Sequence, residues 1–126
     1  MCWQKRKIRV LIADDEKCIR ELLCYLLQER GFIVEDAKDG KETLEKITQH
    51  KPDIIILDLA MPQMNGIEVY RQLKENSDMR NIPIIFFSAQ EPPPQITQEI
   101  SGATIKYIKK PCDIKYLLAQ INNLIS

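Results

Sequence analysis

The sequence predicts an α/β fold, a doubly wound five-stranded parallel sheet in the order 2-1-3-4-5. Three observations lead there. Five short β-rich runs, at 8–13, 32–37, 54–57, 84–88 and 105–108, alternate with stretches whose apolar residues recur at helical spacing. Runs three and four are apolar on both faces, as central strands require, whereas run two carries Glu35-Asp36 and run five carries Lys106 and Lys109, as edge strands tolerate. Right-handed crossovers then satisfy this order and bring the carboxyl ends of strands one and three together at the switch point. The chain has 126 residues, the length of one domain, so a single domain over 1–126 is expected.

Each element has its own local reason. Run one leads into Asp14-Asp15-Glu16, and Ile19, Leu22, Leu23, Leu26 and Leu27 then form one apolar helical stripe that Gly31 stops. A second helix is expected over 41–49, with Asp39 as N-cap and Glu42 reaching back, and a third over 67–75, with Asn65 and Glu68 in the same roles. Pro52 and Pro83 stand just before runs three and four, where a missing N–H does least harm. Pro92-Pro93-Pro94 favours a stiff extended loop. The helix after it, over 95–101, has only Ile96 and Ile100 at helical spacing and is expected to be short and weak. Ile114, Leu117, Leu118, Ile121 and Leu124 mark the last helix.

Composition removes several function classes. With 18 basic and 18 acidic residues the formal charge is zero, which argues against direct nucleic-acid binding by broad phosphate neutralisation. No apolar run approaches the ~20 residues that span a bilayer, and no signal-peptide core is present, so no membrane and a cytoplasmic location are expected. Cys2, Cys18, Cys24 and Cys112 form no C-x-x-C pair, so they are expected to be reduced, structural thiols rather than zinc ligands.

The chemistry lies at the strand ends. Strand one ends at Asp14-Asp15, strand three at Asp58, strand four at Ser88-Ala89, and strand five at Lys109-Lys110-Pro111. Taken singly, the first acids could cap a helix, Asp58 could be a turn residue, and the lysines could be a solvated pair. Brought together, three carboxylates repel unless a cation intervenes, and a hard ion such as Mg²⁺ suits oxygen ligands. The Ser88 hydroxyl and the Lys110 ammonium would face an oxyanion opposite it. Phosphoryl transfer onto Asp58 needs this combination.

Five stretches carry a family resemblance: residues 10–16 (Val-Leu-Ile-Ala-Asp-Asp-Glu), residues 58–66 with the pattern D-x-x-M-P-x-M-x-G, Ser88-Ala89, Gly102-Ala103, and Tyr107-Ile108-Lys109-Lys110-Pro111. Over residues 8–125 the chain resembles the receiver domain of two-component response regulators, with the CheY-like (βα)5 fold. The resemblance implies that Asp58 is the phosphoacceptor, attacking a phosphohistidine on a sensor histidine kinase or a histidine phosphotransfer protein. It implies that Asp14, Asp15, Asp58 and the Ala60 backbone carbonyl hold Mg²⁺, that Ser88 and Lys110 meet the phosphoryl group, and that Tyr107 is a switch aromatic turning with Ser88. It gives Lys109 no role. An output partner would dock on the face of the fourth helix, strand five and the last helix. The domain itself would be a phosphoacceptor signalling module, assisting its own phosphorylation and dephosphorylation, rather than an enzyme.

Three other classes fit less well. An aspartate-nucleophile phosphatase would carry D-x-D after strand one, where this chain reads Asp14-Asp15-Glu16-Lys17-Cys18. A flavin carrier of the same topology would need a glycine- and hydroxyl-rich phosphate loop there, and acids would repel the phosphate. A receiver that only binds partners is disfavoured by the complete set of acids, Ser88 and Lys110. A stand-alone regulator is expected over a relay intermediate or a piece of a larger protein.

Overall fold

The computed structural model describes residues 7–100 and 104–125. Cys2, Gly102-Ala103 and the expected end of the weak helix at Ser101 lie outside them. The elements alternate as β1 (Arg9–Ala13), α1 (Lys17–Glu29), β2 (Ile33–Ala37), α2 (Gly40–Gln49), β3 (Ile54–Leu57), α3 (Gly66–Glu75), β4 (Ile84–Ser88), α4 (Thr97–Ile100), β5 (Ile105–Lys109) and α5 (Ile114–Ile125). All strand pairings are parallel, in the order β2-β1-β3-β4-β5.

Strand alternation divides the core in two. Val10, Ile12, Ile54, Ile56, Ile85 and Phe87 face Leu23 and Leu27 of α1 and Leu117, Leu118 and Ile121 of α5. Leu11, Ala13, Ile55, Leu57, Ile84 and Phe86 face Ile47 of α2, Val69, Tyr70 and Leu73 of α3, and Ile96. Both faces of the sheet are therefore covered, which is why β3 and β4 are buried at every position while β2 is mostly half-buried.

The helix ends obey local chemistry. Gly31 sits at φ +91° and closes α1 in a Schellman turn, with Gly31 N donating to Gln28 O and Phe32 N to Leu27 O. Asp39 Oδ1 accepts from Glu42 N at 2.8 Å, and Asn65 Oδ1 accepts from Glu68 N at 3.0 Å. The reach-back differs from expectation at α2, where the Glu42 carboxylate accepts from Lys38 N rather than from the N-cap's own amide.

Two helices start one residue earlier than expected, each at a glycine. Helix propensity disfavours glycine, yet here a tertiary approach requires it. A Cβ on Gly40 would lie 2.1 Å from the Met64 carbonyl oxygen, and one on Gly66 would lie 2.3 Å from the Asp58 carbonyl oxygen. Helix α4 starts later than expected, at Thr97, because the chain spends residues 94–96 in a turn. Ile96 N and Thr97 Oγ1 both donate to Pro93 O there, so the third proline opens the helix entry instead of extending the loop.

Candidate functional site

The parallel ladder delivers the acids to one edge. Ala13 pairs with Leu57 across β1 and β3, so Asp14 and Asp58 leave the sheet side by side. Their backbones continue the ladder for one more step: Asp14 N donates to Ala37 O at 3.0 Å and Asp58 N to Ala13 O at 2.9 Å. Both side chains are buried, Asp14 at 2% and Asp58 at 4% exposure, while Asp15 projects outward and is exposed. One oxygen from each of Asp14, Asp15 and Asp58 lies within 4.8 Å of the others.

Lys110 enters from the end of β5, whose register sets Lys109 opposite Ser88, with Lys110 N donating to Ser88 O at 2.8 Å. Its Nζ donates to Asp14 Oδ2 at 2.6 Å and to Asp58 Oδ2 at 3.3 Å. One ammonium thus serves two buried carboxylates. Burial pushes the Asp14 carboxyl above its ordinary value, against the lowering effect of its hydrogen bonds from Lys110 and the Glu16 amide, and the Asp58 charge adds to the push. At Lys110 burial pulls the other way, but Asp14 and Asp58 outweigh it and hold the ammonium above its usual value.

The loop after β3 approaches the same point. Ala60 N donates to Asp58 Oδ1 at 3.3 Å, and Gly66 N to Leu59 O at 3.0 Å. Between them Gln63 holds φ +67°, and Met64 N donates back to Pro62 O at 2.8 Å, a tight turn that is strained for a residue with a Cβ. Gly66 is the one residue type that lets α3 start against the Asp58 carbonyl.

Ser88 is fully buried at the end of β4, and its Oγ accepts from Gln90 N at 3.2 Å. Tyr107 is half-buried, its ring tilted on Phe86 at 6.2 Å between centroids, and its hydroxyl donates to the Gln90 carbonyl. Burial raises its phenol above the ordinary value, while the Ser88 hydroxyl opposes that rise. Lys109 points away and pairs with Glu91 on the β4–α4 loop.

Two partners escaped the sequence. Glu16 is the α1 N-cap residue and stands 3.7 Å from Lys110 Nζ, a contact across the site. Gln90 joins Ser88 and Tyr107 through its two backbone groups, for which no side-chain signal exists. Free thiols are found at Cys18, Cys24 and Cys112; burial pushes Cys24 up to about 11, in keeping with a structural role there, whereas Cys18 is exposed and, among the described residues, packs in neither half of the core, which gives it no such role.

A doubly wound sheet with buried acids and one lysine at its switch point places the chain among α/β proteins whose ligand crevice lies at the carboxyl ends of the strands. The response regulator receiver domain matches residues 10–122, and the chain belongs to that family, a family of signalling domains. It is 34% identical over 118 residues to response regulator MprA of Mycolicibacterium vanbaalenii, covering 94% of this chain and 50% of that one. The MprA protein of Mycobacterium leprae is 35% identical over the same length. The chain thus spans about half the length of these relatives. Among solved structures, chemotaxis protein CheY4 of Vibrio cholerae is similar at TM-score 0.83 and 33% identity, covering 94% of this chain and 99% of that one. Response regulator TrrA of Thermotoga maritima, in complex with Mg²⁺ and BeF, is similar at TM-score 0.77 and 30% identity, covering 93% and 98%. No helix among the described residues is long and apolar enough to cross a membrane.

Proposed function

We propose that Asp58 accepts a phosphoryl group from a phosphohistidine, on a sensor histidine kinase or a histidine phosphotransfer protein. The observation that carries this reading is the pair of buried carboxylates sharing Lys110 at the ends of β1, β3 and β5. An Asp58 carboxylate oxygen attacks phosphorus, the P–N bond to imidazole breaks, and the leaving imidazole keeps the electron pair and takes a proton. Lys110 loosens from Asp58 Oδ2 and meets a phosphoryl oxygen, so the charge it balances changes little during transfer.

The donors fit Mg²⁺: all are oxygens, and Asp14, Asp15 and Asp58 offer one each within a small radius, with the Ala60 carbonyl as a further candidate. Bound there, Mg²⁺ would neutralise charge on the transferring group and orient its oxygens. The complex of the Thermotoga relative with Mg²⁺ and BeF supports the same reading for this chain. Ser88 then donates to the new phosphoryl group and Tyr107 turns with it, changing the α4-β5-α5 face that an output partner reads. We further propose that residues 1–126 form a single receiver domain, that it assists its own phosphorylation and dephosphorylation, and that it works in the cytoplasm.

The test is incubation with acetyl phosphate and Mg²⁺, followed by mass analysis. One phosphoryl group is expected, lost in Asp58→Ala and when Mg²⁺ is removed by chelation. Lys110→Ala should slow labelling by about a hundredfold, the usual scale for one lost oxyanion donor. Lys109→Ala should leave it unchanged. Undiminished labelling in Asp58→Ala overturns the assignment, and no labelling of the unaltered protein favours a receiver that only binds partners.

A further inference from the structure

We infer that Arg20 is a positioning residue for the cation site, fixing the Asp14–Asp15 peptide by gripping the Asp14 carbonyl while Asp36 on β2 holds the guanidinium in place. This rests on the proposed role of Asp14 and Asp15 as cation ligands. Arg20 lies in α1, and its Nη1 donates to Asp14 O at 2.8 Å while its Nε donates to Asp36 Oδ2 at 3.0 Å. Its side chain is only 14% exposed, unlike an ordinary helix-surface arginine.

The need for such a group is visible in the backbone. Strand β1 ends at Ala13, so the Asp14 carbonyl has passed the last rung of the ladder and requires another donor. That carbonyl belongs to the peptide joining Asp14 to Asp15. The Asp14 amide is already fixed on Ala37 O, and Asp14 Oδ1 accepts from Glu16 N at 2.9 Å. Those two bonds fix the peptides on either side, Ala13–Asp14 and Asp15–Glu16, and Arg20 on the carbonyl fixes the one between them, which sets the direction in which Asp15 leaves it. The arginine fork is suited to this because one planar group reaches two acceptors on different strands. A lysine would offer a single nitrogen in place of two held at a fixed spacing in one plane.

Simple charge makes the opposite prediction. A cation near an acidic site repels Mg²⁺, so removing Arg20 should tighten Mg²⁺ binding if only its charge matters. If positioning dominates, removal weakens binding. The sign of the change therefore separates the two roles.

The experiment is Mg²⁺ titration of the purified chain and of Arg20→Gln, Arg20→Lys and Asp36→Asn, with the thermal midpoint of each metal-free protein measured alongside. Arg20→Gln should raise the Mg²⁺ Kd about tenfold, at the lower end of what outer-shell partners of a metal site contribute. Arg20→Lys should also raise it, although the charge is kept, and Asp36→Asn should do so by a smaller factor. The double variant Arg20→Gln/Asp36→Asn should be no worse than Arg20→Gln alone, because both act through one contact. Amide resonances of Asp15 and Glu16 should move in every metal-free variant. Should Arg20→Gln fail to fold, Arg20→Lys carries the comparison, because its charge is unchanged and only the positioning role then weakens binding. A Kd that is unchanged or tighter, a lowered midpoint alone, or additive effects in the double variant would overturn the inference. If these occur while the unaltered protein binds Mg²⁺ and labels on Asp58, the phosphoacceptor reading stands. Absence of Mg²⁺ binding and labelling in the unaltered protein overturns both.

Discussion

The centre of the sheet's carboxyl edge and its β4–β5 margin are held by different means. At the centre, Asp14 and Asp58 are fixed by ladder bonds, by Lys110, and by the closely fitting start of α3 at Gly66. At the margin, the described residues of α4, Thr97–Ile100, include no buried one, and the helix is anchored through Ile96 in the preceding turn, which is 1% exposed. Ile100 also packs on the core, partly buried, and exposed or half-buried pairs tie the β4–α4 loop to β5: Lys109 with Glu91, and Tyr107 with the Gln90 carbonyl. Under the proposed function, the difference would let one small domain combine chemistry with signalling. Reacting groups need fixed geometry, whereas an output surface needs two packings of similar free energy.

The largest effect should come from disturbing the centre. Gly66→Ala places a Cβ against backbone that cannot yield, and should cost about 3 kcal/mol, the upper part of the usual overpacking range. Denaturant unfolding measures the loss, and Asp58 labelling should fall with it. Retained stability and full labelling would mean that the α3 start can retreat, and the centre is less rigid than its contacts indicate.

At the margin, Ile96→Ala removes a buried anchor and should cost about 2 kcal/mol. The decisive observation is its location. Amide exchange should quicken over 89–100 while β1 and β3 keep their protection and Asp58 still labels. If labelling is lost too, the two regions are not separable. Tyr107→Phe deletes one hydrogen bond to Gln90 and should cost about 1 kcal/mol by unfolding, with the Asp58 reaction unchanged.

What the sequence made legible follows the same division. The strands and their order were readable because alternation and face composition are local, and the acids were readable because they stand where those strands end. Gly40 and Gly66 were not legible as helix starts, since only the approach of Met64 and of the Asp58 carbonyl explains them. The reach of Arg20 across two strands, the return of Glu42 to Lys38, and the positive φ of Gln63 likewise depend on tertiary placement. Weakness in α4 could be anticipated from its sparse apolar pattern. The turn at Pro93 and Pro94 could not, because three consecutive prolines favour extension until Ile96 is drawn into the core.

Amide exchange on the unaltered protein, with and without Mg²⁺ and beryllium fluoride as a phosphoryl mimic, tests the central claim most directly. Full occupancy of the Asp58 site should change protection over 89–100 and in β5 while β1 and β3 stay as they were, and Ser88→Ala should blunt the change even where the mimic still binds. Unaltered protection at the margin with the site occupied, or a change confined to β1 and β3, would contradict the division of the molecule into a fixed reacting centre and a movable signalling edge.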